Sequence, residues 1–215
     1  MLLSIIWDQD PILFSLGSLS VRWYGLLYAL GFFIGISIIG KTFKRDGAPE
    51  SWLDKVFIYI VLAVIVGSRL GHVFFYDWAY YKENLWEIPM VWHGGLASHG
   101  GALAMVLTCW LLSKYMTKQN IWWLGDRLFI GSSLVAGMIR IGNLMNSEIY
   151  GTPTDLPWGI MVDGVKVHPT FLYESIWNLI IFVFLMKIFK NKKFDGQMAS
   201  IYLIGYSIGR FFIEG

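Results

Sequence analysis

From Trp23 to Gly40 the chain runs without an Asp, Glu, Lys, Arg or His. A helix of roughly 18 residues, rising about 1.5 Å per residue, reaches across most of the roughly 30 Å hydrocarbon core of a bilayer. Five further segments approach the same length with few interruptions. Val56–Tyr76 contains Arg69 and His72, Gly94–Ser113 contains His99, and Leu128–Met145 contains Arg140. Pro169–Met186 contains Glu174, and Gln197–Glu214 contains Arg210 and ends on Glu214. With 56% hydrophobic and only 15% charged residues, the chain is neither a water-soluble domain nor a disordered one. A net charge of +2 without a dense basic face excludes a nucleic-acid-binding module. The expectation is an all-α integral membrane protein, a polytopic helix bundle of six predicted spans forming a single membrane domain over residues 1–215.

Trp and Tyr crowd the predicted span ends, among them Trp23, Tyr24, Tyr76, Trp78, Trp92 and Trp122, as amphipathic rings do at headgroup level. Lys41, Lys44, Arg45 and Lys55 follow the first span. Lys114 and Lys118 follow the third, and Lys187, Lys190, Lys192 and Lys193 the fifth. The alternate loops hold only Lys82 and Lys166 against Asp77, Glu83, Glu87, Glu148, Asp155 and Asp163. The positive-inside rule therefore places the basic loops in the cytoplasm, and the N-terminus and residues 146–168 on the outer side. Met1–Asp10 has no basic start, and Asp8 and Asp10 interrupt its apolar stretch, so no cleaved signal peptide is expected. Segment 146–168 is rich in turn residues and alternates through Trp158, Gly159, Ile160, Met161 and Val162, which predicts a small outer-side cap of strands and turns.

Ionisable side chains inside a span cost roughly 2.5–3.5 kcal/mol each on insertion scales, so they face protein or a wet cavity. Here they are Arg69, His72, His99, Arg140, Glu174, Arg210 and Glu214. Three are guanidinium groups, suited to bidentate contact with phosphate, and together they suggest a basic site for an anionic lipid. Plainer readings stand beside this one. Arg69 and His72, three apart, fit a structural or headgroup-reaching role. Arg210 and Glu214, four apart, fit an intrahelical ion pair. Cys109 stands alone, and no set of His, Cys, Asp and Glu has metal-ligand spacing, so neither a disulfide nor a metal site is expected. Gly94, Gly95, Gly100 and Gly101 surround His99 and let other groups approach it closely, which admits it as a base near neutral pH. Arg140, Asn143 and Ser147 share a face by helical spacing, able to grip phosphate and glycerol oxygens; helix capping is the plainer reading of Asn146 and Glu148.

Six blocks, in order, resemble the bacterial prolipoprotein diacylglyceryl transferases. They are Arg22-Trp23-Tyr24-Gly25, Gly67-Ser68-Arg69-Leu70-Gly71, Gly94-Gly95-Leu96-Ala97-Ser98-His99-Gly100-Gly101, Arg140-Ile141-Gly142-Asn143 through Glu148, His168-Pro169-Thr170-Phe171-Leu172-Tyr173-Glu174, and Gly209-Arg210-Phe211-Phe212-Ile213-Glu214. The resemblance implies a multi-pass enzyme of the bacterial inner membrane. Such an enzyme moves the diacylglyceryl group of phosphatidylglycerol onto the lipobox cysteine thiol in the signal peptide of a preprolipoprotein, makes a thioether, releases glycerol 1-phosphate and uses no cofactor. It carries catalytic roles onto Tyr24, His99, Arg140 and Arg210, and substrate binding onto Arg140, Asn143, Asn146, Glu148, Arg210 and Glu214. On this reading Arg140 and Arg210 clamp phosphate while Glu148 and Glu214 orient them. His99 is either the thiol's base or structural, in a cavity whose positive charge itself lowers the thiol pKa. The chain departs from the family pattern at Ile139, Leu144, Ser147 and Phe171. It also stops where the family continues into a seventh span, so a C-terminal truncation is expected. The competing class is a non-catalytic anionic-lipid or small-anion binding or transport protein, which predicts paired internal repeats that are not visible here. A third, an intramembrane hydrolase, lacks a Gly-x-Ser-x-Gly elbow.

Overall fold

A computed structural model describes residues 5–17 and 19–214, the side chains of Ile5, Ile6, Leu19 and Glu214 lying outside that description. The order is β1 (Ile5–Ile6), β2 (Ile12–Leu16), β3 (Leu19–Arg22), α1 (Trp23–Arg45), α2 (Ser51–Phe75), α3 (Trp78–Tyr81), α4 (Ser98–Leu111), α5 (Ile121–Met145), β4 (Ile160–Val162), β5 (Val165–Val167), α6 (Thr170–Phe189) and α7 (Gln197–Glu214). Two single 3₁₀ turns, Leu85–Glu87 and Val91–His93, precede α4, and a π-helical stretch, Leu112–Thr117, continues it.

Among the described residues, α1, α2, α5 and α6 are long and apolar enough to cross a membrane. The other two predicted spans form helices with particular features. Gly94–Ala97 is not helical because Gly94 and Gly95 adopt φ of 84° and 69°, so α4 begins only at Ser98 and has 14 residues. The last span matches α7 at both bounds, 18 residues carrying Arg210 near one end. The protein is mostly helical, with two small sheets in addition, which corrects the all-α expectation.

The chain forms two compact units, Met1–Ile39 with Asp126–Gly215, and Gly40–Gly125. In the first, helices approach through glycine. A Cβ on Gly31 would lie 2.8 Å from Met138 and one on Gly131 2.8 Å from Ile39, so α1 and α5 pack with little side-chain thickness between them. Gly137 of α5 faces α6, and the Ser175 hydroxyl donates to its carbonyl at 3.0 Å. Gly205 of α7 accepts the Trp177 indole N–H at 2.8 Å, and Gly209 one turn later lies against the same ring. Ile130, Ile181, Leu185, Phe189, Met198 and Tyr202 fill the space between α5, α6 and α7.

The start of α7 is capped from another helix. Asp126, with no exposed surface, accepts from the backbone N–H groups of Gly196 (3.0 Å), Met198 (2.9 Å) and Ala199 (3.1 Å), and pairs with Lys192 at 3.4 Å. These N–H groups have no intrahelical acceptor, and a carboxylate there is also favoured by the helix dipole.

The expected cap of strands and turns is present and gains a third strand from the N-terminus. β4 and β5 pair antiparallel around an Asp163-Gly164 turn whose φ values, 49° and 79°, are those of a type I′ hairpin. β1 pairs parallel to β4. Ile160, Val162, Val167 and Phe171 form its core with Trp7 and Leu144 against them. The Trp7 indole donates to the Leu144 carbonyl at the end of α5, and the Trp158 indole to the Tyr173 hydroxyl at the start of α6. The cap is thereby fixed to both helices that it joins. A separate hairpin, β2–β3, reverses at Gly17 (φ 61°).

In the second unit α2 and α4 cross at Gly67, Gly71 and Gly100, where any Cβ would overlap the facing backbone. Arg69 of α2 is 2% exposed. Its Nε donates to the Ile88 carbonyl at 2.8 Å, Nη1 to Gly94 at 2.6 Å and Gly95 at 3.4 Å, and Nη2 to Glu87 at 2.5 Å. Its guanidinium also sits 4.9 Å from the Tyr81 ring centroid. Four backbone carbonyls on one buried guanidinium identify the structural role for Arg69, closing residues 82–97 into a fixed loop. His72 stacks on Tyr76 and lies against Gly95, whose positive φ and lack of a Cβ make room for the ring.

Candidate functional site

The polar centre of the first unit is built on three helices. Glu174, in the second turn of α6, is 3% exposed. Its Oε2 lies 2.5 Å from Arg140 Nε on α5, and its Oε1 accepts from Arg210 Nη1 on α7 at 3.1 Å. The glycine contacts just described bring those helices close enough for this: Gly137 sits nearly one turn before Arg140, and Gly209 directly before Arg210. A carboxylate buried at that depth needs cations at hydrogen-bonding distance, and two guanidinium groups provide them. The arginines are the more open members, their side chains 17% and 35% exposed against 3% for the glutamate.

A second group continues from Arg140. Its Nη1 lies 3.5 Å from Asn143 Oδ1, and Asn143 Nδ2 donates to Glu148 Oε1 at 2.9 Å. Asn146 Nδ2 reaches the same oxygen at 3.4 Å. Helix α5 ends here in a left-handed turn. Ser147, at φ 53°, donates its N–H to the Leu144 carbonyl, and Glu148 donates its own to the Asn143 carbonyl. That pair of bonds is a Schellman motif, which folds the chain back so that the Glu148 carboxylate meets the two asparagines. Tyr24, in the first turn of α1, lies over Gly142, where a Cβ would sit 2.8 Å from its ring. Tyr24, Arg140 and Asn143 thus gather at one end of α5.

Several sequence expectations change. Ser147 does not continue the helical face of Arg140 and Asn143, because α5 stops at Met145. Asn146 occupies the C-cap position. Glu148 orients the two asparagines and not an arginine; the carboxylate on both arginines is Glu174. The Glu214 side chain, expected beside Arg210, lies outside the described residues. Sequence spacing does not single out Glu174, because Glu148 and Glu214 stand nearer to the arginines along the chain. The available signal was that it is the one acid within its predicted span, where an uncompensated carboxylate is untenable.

His99 belongs to the second unit. It is exposed in the first turn of α4 and lines a cavity of about 420 Å³ with Gly71, Phe75, Tyr76, Ala97, Gly100 and Leu103. The lining is mostly apolar, an environment for an apolar chain with the His99 imidazole beside it.

A family model described as prolipoprotein diacylglyceryl transferase matches residues 11–215. Curated relatives bear the name phosphatidylglycerol–prolipoprotein diacylglyceryl transferase. The chain is 40% identical over 227 residues to that of Porphyromonas gingivalis, covering 98% of this chain and 80% of the relative. It is 44% identical to that of Chloroherpeton thalassium, covering 85% and 69%, and 43% identical to that of Finegoldia magna, covering 96% and 83%.

Proposed function

Because the chain belongs to the prolipoprotein diacylglyceryl transferase family, it transfers the diacylglyceryl group of phosphatidylglycerol to a prolipoprotein, and we propose that it does so at the Arg140–Glu174–Arg210 group. The convergence of two arginines from different helices on one buried carboxylate carries this reading. The two guanidinium groups are partly exposed while the carboxylate is buried, an arrangement suited to an anionic headgroup within an apolar bundle.

In the reaction we assign, the sulfur of the lipobox cysteine forms a bond to the glycerol carbon that bears the phosphate. The carbon–oxygen bond breaks and its electron pair stays on the phosphate oxygen, leaving a thioether and glycerol 1-phosphate. The thiol proton passes to a base, a role that the family resemblance gives to His99. Arg140 and Arg210 hold the phosphate and neutralise the charge that grows on it. Asn143, turned by the Glu148 carboxylate, presents its carbonyl toward Arg140 and steadies that guanidinium. We assign Tyr24, Asn146, Glu148 and Glu214 to binding of the phosphoglycerol headgroup, as the family resemblance implies. Neither step calls for a cofactor.

We read residues 1–215 as one membrane domain with six spans in the bacterial inner membrane. The positively charged loops lie in the cytoplasm, and the 146–168 cap stands on the outer side over the site. The experiment is transfer of radiolabelled diacylglycerol from phosphatidylglycerol to a lipobox peptide by purified protein in mixed micelles. Loss of one of two charge-assisted phosphate contacts costs about 3–4 kcal/mol, so Arg140→Ala and Arg210→Ala are each expected to reduce transfer by roughly 100-fold or more. Full transfer by either variant refutes the clamp. Unchanged phosphatidylglycerol binding with no transfer by the parent protein moves a lipid-carrier function to first place.

A further inference from the structure

We infer that Glu174, on the reading that Arg140 and Arg210 hold the lipid phosphate, is a positioning residue with two effects: it fixes the spacing of the clamp, and its charge drives the phosphate product out. Each carboxylate oxygen takes one arginine, Oε2 through Arg140 Nε at 2.5 Å and Oε1 through Arg210 Nη1 at 3.1 Å. Two cations tied to one rigid carboxylate cannot separate by more than its span allows, so their spacing is set before any lipid arrives. Arg140 is engaged through Nε. Its Nη1 lies 3.5 Å from Asn143 Oδ1 and its side chain is 17% exposed, so the guanidinium is within reach of a second anion. The order of exposure agrees, with the glutamate behind and both arginines in front.

The second effect follows from the charge balance of the reaction. The substrate is a phosphodiester with one negative charge. When carbon–oxygen cleavage leaves the electron pair on phosphate and the thiol proton goes to a base, the product is a phosphomonoester carrying about −1.5 to −2 at pH 7. Two arginines alone would hold this product more tightly than the substrate and stall turnover. A buried carboxylate in contact with both cancels part of their charge and repels the extra charge on the product more than the single charge on the substrate. Among the described residues the other carboxylate nearby is Glu148, exposed and engaged by Asn143 and Asn146, and Glu174 is the buried acid in contact with both arginines.

Glu174→Gln keeps the side chain's shape and removes its charge. In mixed micelles of phosphatidylglycerol with a lipobox peptide, kcat, KM and inhibition by added glycerol 1-phosphate are measured separately, together with the first turnover by rapid quench. The expected result is an inhibition constant at least tenfold lower than that of the parent, a reduced kcat, a KM for phosphatidylglycerol that is unchanged or lower, and a first-turnover burst of thioether. An unchanged or higher inhibition constant overturns the proposal, as does a loss of kcat with raised KM and no burst, the pattern of simple misplacement. Should Glu174→Gln fail to fold, Glu174→Asp retains the charge on a shorter arm. Its KM is expected to rise with the inhibition constant at or above the parent value, and a fall in that constant overturns the proposal equally. Undiminished glycerol 1-phosphate inhibition in Arg140→Ala would instead sink the phosphate clamp itself. Normal arginine dependence with an unmoved constant in Glu174→Gln removes only the role given to Glu174.

Discussion

Replacing Asp126 by alanine tests whether one side chain holds the start of α7. In the native protein its carboxylate accepts three backbone N–H bonds of 2.9–3.1 Å from Gly196, Met198 and Ala199, and no part of it is exposed. A buried donor stripped of its acceptor costs about 1–3 kcal/mol. Three such donors sum to about 3–9 kcal/mol, and fraying of the first turn into water recovers much of the upper part. Lys192 recovers more, because it already bonds Asp195 at 2.6 Å. A net loss of about 3 kcal/mol is therefore expected at the helix start, which at about 1.4 kcal/mol per decade makes amide exchange there roughly 100-fold faster. Asp126→Asn keeps one acceptor oxygen and should lose about 1–2 kcal/mol. Hydrogen exchange with mass spectrometry on the protein in detergent, following peptides over residues 193–200 against peptides from the middle of α6, measures both. Protection over 196–199 that stays within threefold of the parent in Asp126→Ala would refute the capping account.

Other expectations follow from single contacts. Ser147 pays for its left-handed conformation, so Ser147→Gly should raise stability by about 0.5–1 kcal/mol and Ser147→Val should lower it, read as opposite shifts in thermal midpoint. Arg69→Ala leaves four carbonyls without their donor and should cost about 3–5 kcal/mol, with new protease cleavage between residues 82 and 97 as the sign that the loop has opened. Gly67→Leu forces α2 from α4 and should destabilise by about 1–3 kcal/mol or more in the same thermal assay. The Tyr80 hydroxyl donates to Glu87 at 2.9 Å, and that bond, with the neighbouring charge, raises its pKa above the ordinary 10.0. The bond is fully present below the ordinary value and lost as pH rises through the raised one, so Glu87→Gln should move the Tyr80 ultraviolet titration to lower pH.

The apolar runs made the helices legible, because hydrocarbon admits few alternatives; the bounds of α7 follow from Gln197 and Glu214 alone. Strand pairing was legible only where it was local. The Asp163-Gly164 hairpin announces itself, whereas the parallel partner of β4 comes from Ile5–Ile6, at the far end of the chain, with no local signature. The site divides in the same way. Arg140, Asn143 and Glu148 are neighbours along the chain, so their spacing alone points to one group. Glu174 lies 36 residues from Arg210 and could be matched to it only by a charge-balance argument over whole spans. Ser147 misled because helical spacing was extended past the end of α5, where its positive φ cannot be read from a serine.

Arg69 has a consequence for how this loop can be altered. All its hydrogen bonds end on main-chain oxygens, which every amino acid carries, so the clamp recognises the path of the loop and is indifferent to its side chains. Within the loop Asn84 and Glu87 add side-chain bonds to Tyr80, and Gly94 and Gly95 have dihedral angles that exclude most substitutes. An engineer who grafts a reporter or an affinity epitope there would keep Asn84, Glu87, Gly94 and Gly95 and leave the helices beneath untouched.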